Sequence, residues 1–425
     1  MPEKKKSVVP RLRFPEFRDA GEWEVKNFYD LLEDVLDFRG RTPKKLGMDW
    51  GGGNIVSLSA NNVKNGYIDY GAECKLGSED LYEKWMGKVS LEKGDIVFTT
   101  EAPLGNALLV PDSQKYILSQ RVVAFKIKKG VNNAFIVQLI WSSQFQNKLK
   151  MLSTGSTAKG INQKTLKRVR VKIPKMKVEQ QKIADCLSSL DEAIDLEAQK
   201  LDALKAHKKG LVQQLFPREG ETTPRLRFPE FRDAGEWEVK QLKHISPAIF
   251  DGTHQTPNYT EKGVPFFSVE NIVSGNENKY ISREDYIIAT VKNKPEKGDI
   301  LITRIGNIGF SKVVDWDYEF SIYVTLAVVK KSELFNSQYL HCYFQSEYYQ
   351  KEILSKSLLS AIPCKINMDE LQKTKVLLPS LPEQQKIADC LSSLDEVIDL
   401  QTQKLDALKA HKKGLMQQLF PQEAG

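Results

Sequence analysis

The chain has 425 residues, with 62 Lys+Arg against 55 Asp+Glu and a formal net charge of +7. Hydrophobic content of 41% and charged content of 28% match folded globular domains rather than long disordered tracts, and the length allows about two to four domains. Five cysteines without a Cys-x-x-Cys pair speak against a disulfide framework or a zinc site. The opening MPEKKKSVVP lacks an apolar core and no run approaches the length of a membrane span, so a cytoplasmic chain away from membranes is expected.

In chain order, the first notable segment is PRLRFPEFRDAGEWEVK at Pro10–Lys26, which recurs unchanged at Pro224–Lys240. A region of mixed character follows over 27–178. Its β-rich runs DIVFTT (95–100) and RVVAFKI (121–127) alternate with Gly, Asn and Pro turns, and FIVQLIWSSQFQNKLKML (135–152) has helical spacing. Next comes Glu179–Pro217, which recurs at Glu383–Pro421 with four differences in 39 positions: Ala193/Val397, Glu197/Gln401, Ala198/Thr402 and Val212/Met416. The polar connector 217–224 leads to the second copy of the first repeat and then to a second mixed region, 241–382, with DILITR (299–304) and YVTLAVV (323–329) as strands. Nearly invariant repeats around two diverged regions suggest shared mechanical parts carrying two different readers.

The two diverged regions share a skeleton. Asp37 and Thr42-Pro43 in DFRGRTP match Asp251 and Thr256-Pro257 in DGTHQTP; Glu92-Lys-Gly-Asp-Ile96 matches Glu296-Lys-Gly-Asp-Ile300; and Ile161-Asn162 matches Ile366-Asn367. Both therefore read as one α+β fold with diverged surfaces.

The Glu179–Pro217 repeat carries a heptad seam through Leu187, Leu190, Ile194, Leu201 and Leu204, repeated by Leu391, Leu394, Ile398, Leu405 and Leu408. Glu197 and Lys208, and Gln401 and Lys412 in the second copy, are its polar interruptions. Each copy predicts a helix of roughly 50 Å ended by Phe-Pro, and each copy is the other's natural partner. The pattern does not choose between parallel and antiparallel pairing. The expected architecture has domains over 1–178 and 218–382 and spacer helices over 179–217 and 383–425.

Catalytic motifs are missing from the sequence. It holds no Gly-x-x-x-x-Gly-Lys-[Ser/Thr] phosphate loop and no Asn/Asp-Pro-Pro-aromatic loop of a base methyltransferase, and Gly51-Gly52-Gly53 does not follow an apolar strand. Charge points to nucleic acid. Region 27–178 has 24 Lys+Arg and 14 Asp+Glu, whereas 241–382 has 16 of each. Basic residues gather at Arg39, Arg41, Lys44 and Lys45 and again between Lys159 and Lys177, interleaved with Asn, Thr and Gly suited to phosphates and base edges. A catalytic domain and a DNA-free adaptor are the rival readings; DNA cleavage or methylation by the chain alone would favour the first, and little salt-dependent binding to duplex DNA the second.

The repeat layout, the RGRTP and DGTHQTP turns, the two Lys-Gly-Asp-Ile strands, GSTAKGIN (155–162) and the duplicated Glu-Gln-Gln-Lys-Ile-Ala helices together resemble the DNA-specificity subunit of type I restriction-modification systems. The resemblance covers nearly the whole chain. It implies two target-recognition domains, each reading one half of a bipartite, asymmetric site on double-stranded DNA. It further implies an antiparallel coiled coil of the two helices, pseudo-two-fold symmetry and no catalysis by this chain. Two methyltransferase subunits, which carry the S-adenosylmethionine, would dock around the helices, and a restriction or translocase subunit could join them. Carried onto this sequence, the DNA-facing residues would be Arg39, Arg41, Lys44, Thr157, Lys159 and Asn162 in the first region, and Thr253, His254, Thr256, Lys365 and Asn367 in the second. SLLSAIPCKIN departs from the Gly-Ser-Thr of its counterpart loop. Asn62 and Asn271 could read adenine or cap a turn, and Arg304, after a strand, is placed to reach phosphate. Asp37 and Asp251 read as turn residues.

Overall fold

The continuous apolar runs found above become central strands covered on both faces, which is why they lack the alternation of a half-exposed strand. The computed structural model describes residues 8–155, 159–276 and 278–421. It divides into two units, Met1–Glu197 with Lys404–Gly425, and Ala198–Gln403.

The first unit contains β1 (Glu24–Asn27), β2 (Leu32–Leu36), β3 (Ile55–Leu58), β4 (Leu76–Gly77), α1 (Glu79–Met86), β5 (Ile96–Thr100) and β6 (Leu104–Leu109). It continues through β7 (Tyr116–Leu118), β8 (Val122–Ile127), α2 (Asn133–Trp141), α3 (Ser143–Leu152), α4 (Gln163–Leu166) and β9 (Arg170–Ile173) into the long helix α5 (Lys177–Leu215). The antiparallel sheet runs β2-β8-β5-β6, beside a smaller sheet β4-β3-β7 in which β3 and β7 are parallel. Along β5, Ile96 and Phe98 enter one core with Phe28, Phe125, Phe135 and Leu187, while Val97 enters another with Leu58, Trp85 and Leu118. Each fully buried large side chain of this kind contributes about 1.5–3 kcal/mol. The helical stretch 135–152 is two helices, because Ser142 is extended and its hydroxyl accepts from Phe145 N at 3.3 Å, capping a new start.

The second unit repeats the plan with β10 (Glu238–Gln241), β11 (Ile249–Asp251), β12 (Tyr259–Thr260), β13 (Val264–Phe267), α6 (Val269–Ser274), β14 (Tyr280–Ile281), α7 (Arg283–Thr290) and β15 (Ile300–Thr303). It ends with β16 (Ser311–Val313), β17 (Ser321–Ile322), β18 (Leu326–Val329), α8 (Ser337–Phe344), α9 (Glu347–Ser355), α10 (Met368–Gln372), β19 (Lys375–Leu378) and the long helix α11 (Leu381–Leu419). The sheet order β11-β18-β15-β16 reproduces that of the first unit.

Each long helix contributes one part to each unit, and within each unit the two parts run antiparallel. In the first, Lys404 pairs with Glu197 and Lys412 with Asp191. In the second, Lys208 Nζ reaches Asp395 at 2.5 and 2.7 Å. Lys208 and Lys412, polar interruptions of the seam, are thus held in cross-helix ion pairs. Leu187 and Leu391 are fully buried, Leu201 and Leu405 nearly so, and Leu190, Ile194, Leu204, Leu394, Ile398 and Leu408 are half-buried. Gly210 and Gly414 lie inside unbroken helix, and both helices stop at Phe-Pro.

The Pro10–Lys26 repeat explains its own invariance by what it grips. Arg13 clamps Glu179 through two bonds of 2.8 Å and Trp23 Nε1 donates to the same carboxylate at 3.1 Å, while Leu12 N donates to Gln418 O at 3.0 Å. One short segment therefore ties the start of α5 to the end of α11. Arg227, Glu383 and the Leu226–Gln214 bond do the same in the second unit, where the Trp237 indole N–H has no partner.

Candidate nucleic-acid interface

In the first unit, three segments meet at one end of the central sheet: the turn after β2, the end of β5, and the loop leading into α4. The Asp37 carboxylate accepts from Arg39 N (3.1 Å), Arg39 Nε (2.8 Å), Arg39 Nη2 (2.5 Å) and Gln163 Nε2 (2.7 Å). Burial alone would raise its pKa, but the Arg39 and Gln163 hydrogen bonds outweigh that and hold it below the usual range. The Asp37 bonds raise the Arg39 pKa, and Arg39 Nη1 points at Thr100 Oγ1 at 3.3 Å. Asp37, read from sequence as a turn residue, is the post that orients Arg39.

Arg41 is exposed, with its guanidinium 4.6 Å from the Phe38 ring centroid and donating to the Trp85 carbonyl. Lys44 projects from the short turn capped by Thr42 and is exposed. Asn162, also exposed, caps α4 by accepting from Thr165 N at 2.8 Å, and Ile161 N donates to Thr100 O at 2.9 Å. Lys159 is exposed beside Gly160, which bridges to Thr154 and Glu101. Thr157 lies outside the described residues. Arg39 and Asn162 are thus brought together through Asp37 and Gln163, a pairing invisible in the sequence because 126 positions separate Asp37 from Gln163.

The second unit places its counterparts at the same end of its own sheet. Asp251 Oδ2 accepts from Arg304 Nη1 at 2.7 Å and from His254 Nε2 at 3.0 Å. Thr253 is half-buried; His254 and Thr256 are exposed, and the Thr256 hydroxyl lies 3.2 Å from that of Tyr323. Lys365 pairs by backbone with Leu358 and Ile305, Ile366 N donates to Arg304 O at 2.9 Å, and Lys365 and Asn367 are exposed.

Three expectations are corrected. Arg304 does not face phosphate: it is 7% exposed and donates to Asp251, to Val324 O at 3.1 Å and to Ile366 O at 3.2 Å. Asn62 reads no base, being wholly buried with its oxygen accepting from Ser59 N (2.8 Å) and its amide donating to Ser57 O (2.9 Å). Asn271 is likewise buried, bonded to Ser268 and to Asn276 O. Both asparagines are turn caps. Arg121 was missed: it is exposed with a left-handed φ of 63°, and its carbonyl accepts from Thr100 N at 2.8 Å. A left-handed arginine has no signal in sequence.

Among the described residues no His, Cys, Asp and Glu grouping could hold a metal ion, and no helix is long and apolar enough to cross a membrane.

Comparison with known proteins bears on what these ends do. The profile of the type I restriction modification DNA specificity domain matches residues 21–206 and 234–410. The type I restriction enzyme MjaVIII specificity subunit of Methanocaldococcus jannaschii is 23% identical over 424 residues, covering 96% of this chain and 93% of that protein. The type I restriction-modification S subunit of M. genitalium superposes with a TM-score of 0.60 at 17% identity, over 98% of this chain and 100% of that one. A chain from a structure of type I restriction-modification complex assembly gives a TM-score of 0.57 at 18% identity, over 95% and 98% of the two chains.

Proposed function

Since this chain belongs to the type I restriction-modification DNA specificity family, whose domain it carries twice, we propose that each unit reads one half of a bipartite, asymmetric duplex site. It is a specificity subunit, a DNA-recognition component and not a catalytic one. The observation that carries the reading is the recurrence of one constellation, turn, strand end and loop, in both units with different side chains at equivalent places. A common scaffold with unlike tips suits two unlike half-sites.

In the first unit Arg39, pre-oriented by Asp37, and Arg41 are the candidates for guanine O6 and N7, while Lys44 and Lys159 suit phosphate. Asn162 offers its amide nitrogen, its oxygen being used by the cap. In the second unit His254, Thr256, Lys365 and Asn367 are the exposed equivalents. The recognition domains would run over 1–178 and 218–382, with spacer helices 179–217 and 383–425 fixing the distance between half-sites and docking two methyltransferase subunits. S-adenosylmethionine would belong to those partners, which would turn adenine out of the duplex to methylate it. A restriction subunit could complete the assembly, acting in the cytoplasm where the DNA lies.

Single-molecule methylome sequencing of cells with and without the gene tests this. Loss of methyladenine at one bipartite motif is expected, and an unchanged methylome in cells with active partner subunits would contradict it. Deleting one heptad from either spacer helix should change the preferred gap or abolish methylation; the original gap retained by an active deletion variant would refute the spacer role.

A further inference from the structure

The first unit contains a cleft of about 220 Å³. It opens at the carboxyl ends of the parallel strands β3 and β7. Its floor is Ser57 and Ser119, 3% and 5% exposed. Both hydroxyls line the cleft, where each could donate to or accept from a ligand. One wall is aromatic, formed by the half-buried Trp50 backed by Trp85, which is 1% exposed, with ring centroids 5.5 Å apart. Arg41, Lys75 and Arg121 supply three cations against the single carboxylate of Glu73, and Asn61 and Gln120 add amides.

The fold does not require this hollow. Ser119 N donates to Leu58 O at 2.9 Å, and at the equivalent place Tyr323 N donates to Phe267 O at 2.8 Å. Strand pairing likewise sets Ser57, opposite Ile117, against Phe266, opposite Ser321. Phe266 is wholly buried and packs on Tyr323 with ring centroids 6.1 Å apart, in the place of the two floor serines. Arg121 corresponds to Thr325, whose carbonyl accepts from Arg304 N as that of Arg121 accepts from Thr100 N. One unit is filled with rings where the other is hollow, floored with hydroxyls and rimmed with cations.

A flat ring suits the tryptophan wall, hydroxyls and amides suit the edge of a base, and cationic side chains suit phosphate. We propose that this cleft holds a single nucleotide, its base against Trp50 and its phosphate toward Lys75 and Arg121. The nucleotide comes either from a DNA strand, turned out of its stack, or from the free pool; only the first source rests on the DNA-reading role.

The test is a fluorescence titration of the full chain with each deoxynucleoside monophosphate, followed by competition with single-stranded oligonucleotides of the same base. Ser119→Tyr imports the second unit's residue and should fill the cleft, and Arg121→Thr should remove a phosphate contact without filling it. Saturable binding of at least one monophosphate, weakened about tenfold or more by either variant, is expected. Displacement by the oligonucleotide assigns the strand as source, and its failure to displace assigns the free nucleotide. No saturable binding of either probe, or binding indifferent to both variants, overturns the proposal. Salt-dependent duplex binding, measured on the same samples, separates the two ideas: duplex bound without nucleotides sinks only the cleft, and neither bound sinks the DNA-reading role as well.

Discussion

The two units solve one electrostatic problem from opposite sides. In the first, the guanidinium facing the turn aspartate comes from the turn itself, Arg39, and the strand end offers Thr100. In the second, the turn offers Thr253 and the strand end supplies Arg304. Asp37 and Asp251 are the constant. Moving the arginine from an accessible turn to a buried strand end turns a candidate DNA contact into a structural strut, and leaves the second unit's tip to His254 and Thr256. Residue chemistry is conserved between the units while its role is exchanged.

The largest expected effect lies in what the units share. Arg13→Ala and Arg227→Ala each leave a carboxylate that is 1% exposed without its arginine, and each should cost about 3–5 kcal/mol by denaturant unfolding. A loss in one unit only would show that the repeated clamp is not equivalent in its two settings. The exchanged arginines should then separate. Arg304→Ala should destabilise the second unit by about 3–5 kcal/mol. Arg39→Ala should leave stability nearly intact and instead weaken binding at its own half-site by about 1–3 kcal/mol. Equal destabilisation by the two substitutions would erase the distinction drawn between contact and strut.

The smallest effect is one of pH. His341 on α8 corresponds to Val137 on α2, and burial followed by the nearby Lys208 lowers its pKa to about 4. Its ring nitrogens lie 2.9 Å from Ser311 Oγ and 2.8 Å from Gln345 Nε2, so both are engaged by the neutral ring. With the folded pKa depressed, the unfolded chain binds the extra proton first, and stability falls as pH drops from about 6.5 toward about 4. Acidification from pH 7 to pH 5 should therefore weaken the second unit by up to about 2 kcal/mol. Hydrogen exchange would register it in 337–344 and spare 133–141, and His341→Val should abolish it. An acid response confined to the first unit would contradict the assignment.

Much of this plan is legible in the primary structure. The duplicated helices with their seams, the buried strands at Ile96 and Ile300 and the shared turn at Asp37 and Asp251 all rest on short-range patterns. What stays hidden depends on partners far along the chain. Nothing near Arg13 announces Glu179, and Gln163 gives no sign of meeting Asp37. Asn62, Asn271 and Arg304 look in sequence like DNA contacts, since polar residues after strands belong to turns and interfaces alike. Only burial tells the two apart, and burial is a tertiary property. The cleft is hidden for a related reason: Ser57 and Ser119 acquire meaning only once strand pairing sets them against Phe266 and Tyr323.

The central claim is that the two units read different half-sites independently. The direct measurement is the methylome of cells whose only copy of this chain carries Arg41→Ala with Lys44→Ala, beside cells carrying His254→Ala with Thr256→Ala. Each pair should relax the base preference in one half of the methylated motif, a different half for each pair, and leave the other half and the gap unchanged. Relaxation of both halves by either pair, or of the same half by both pairs, would contradict the account.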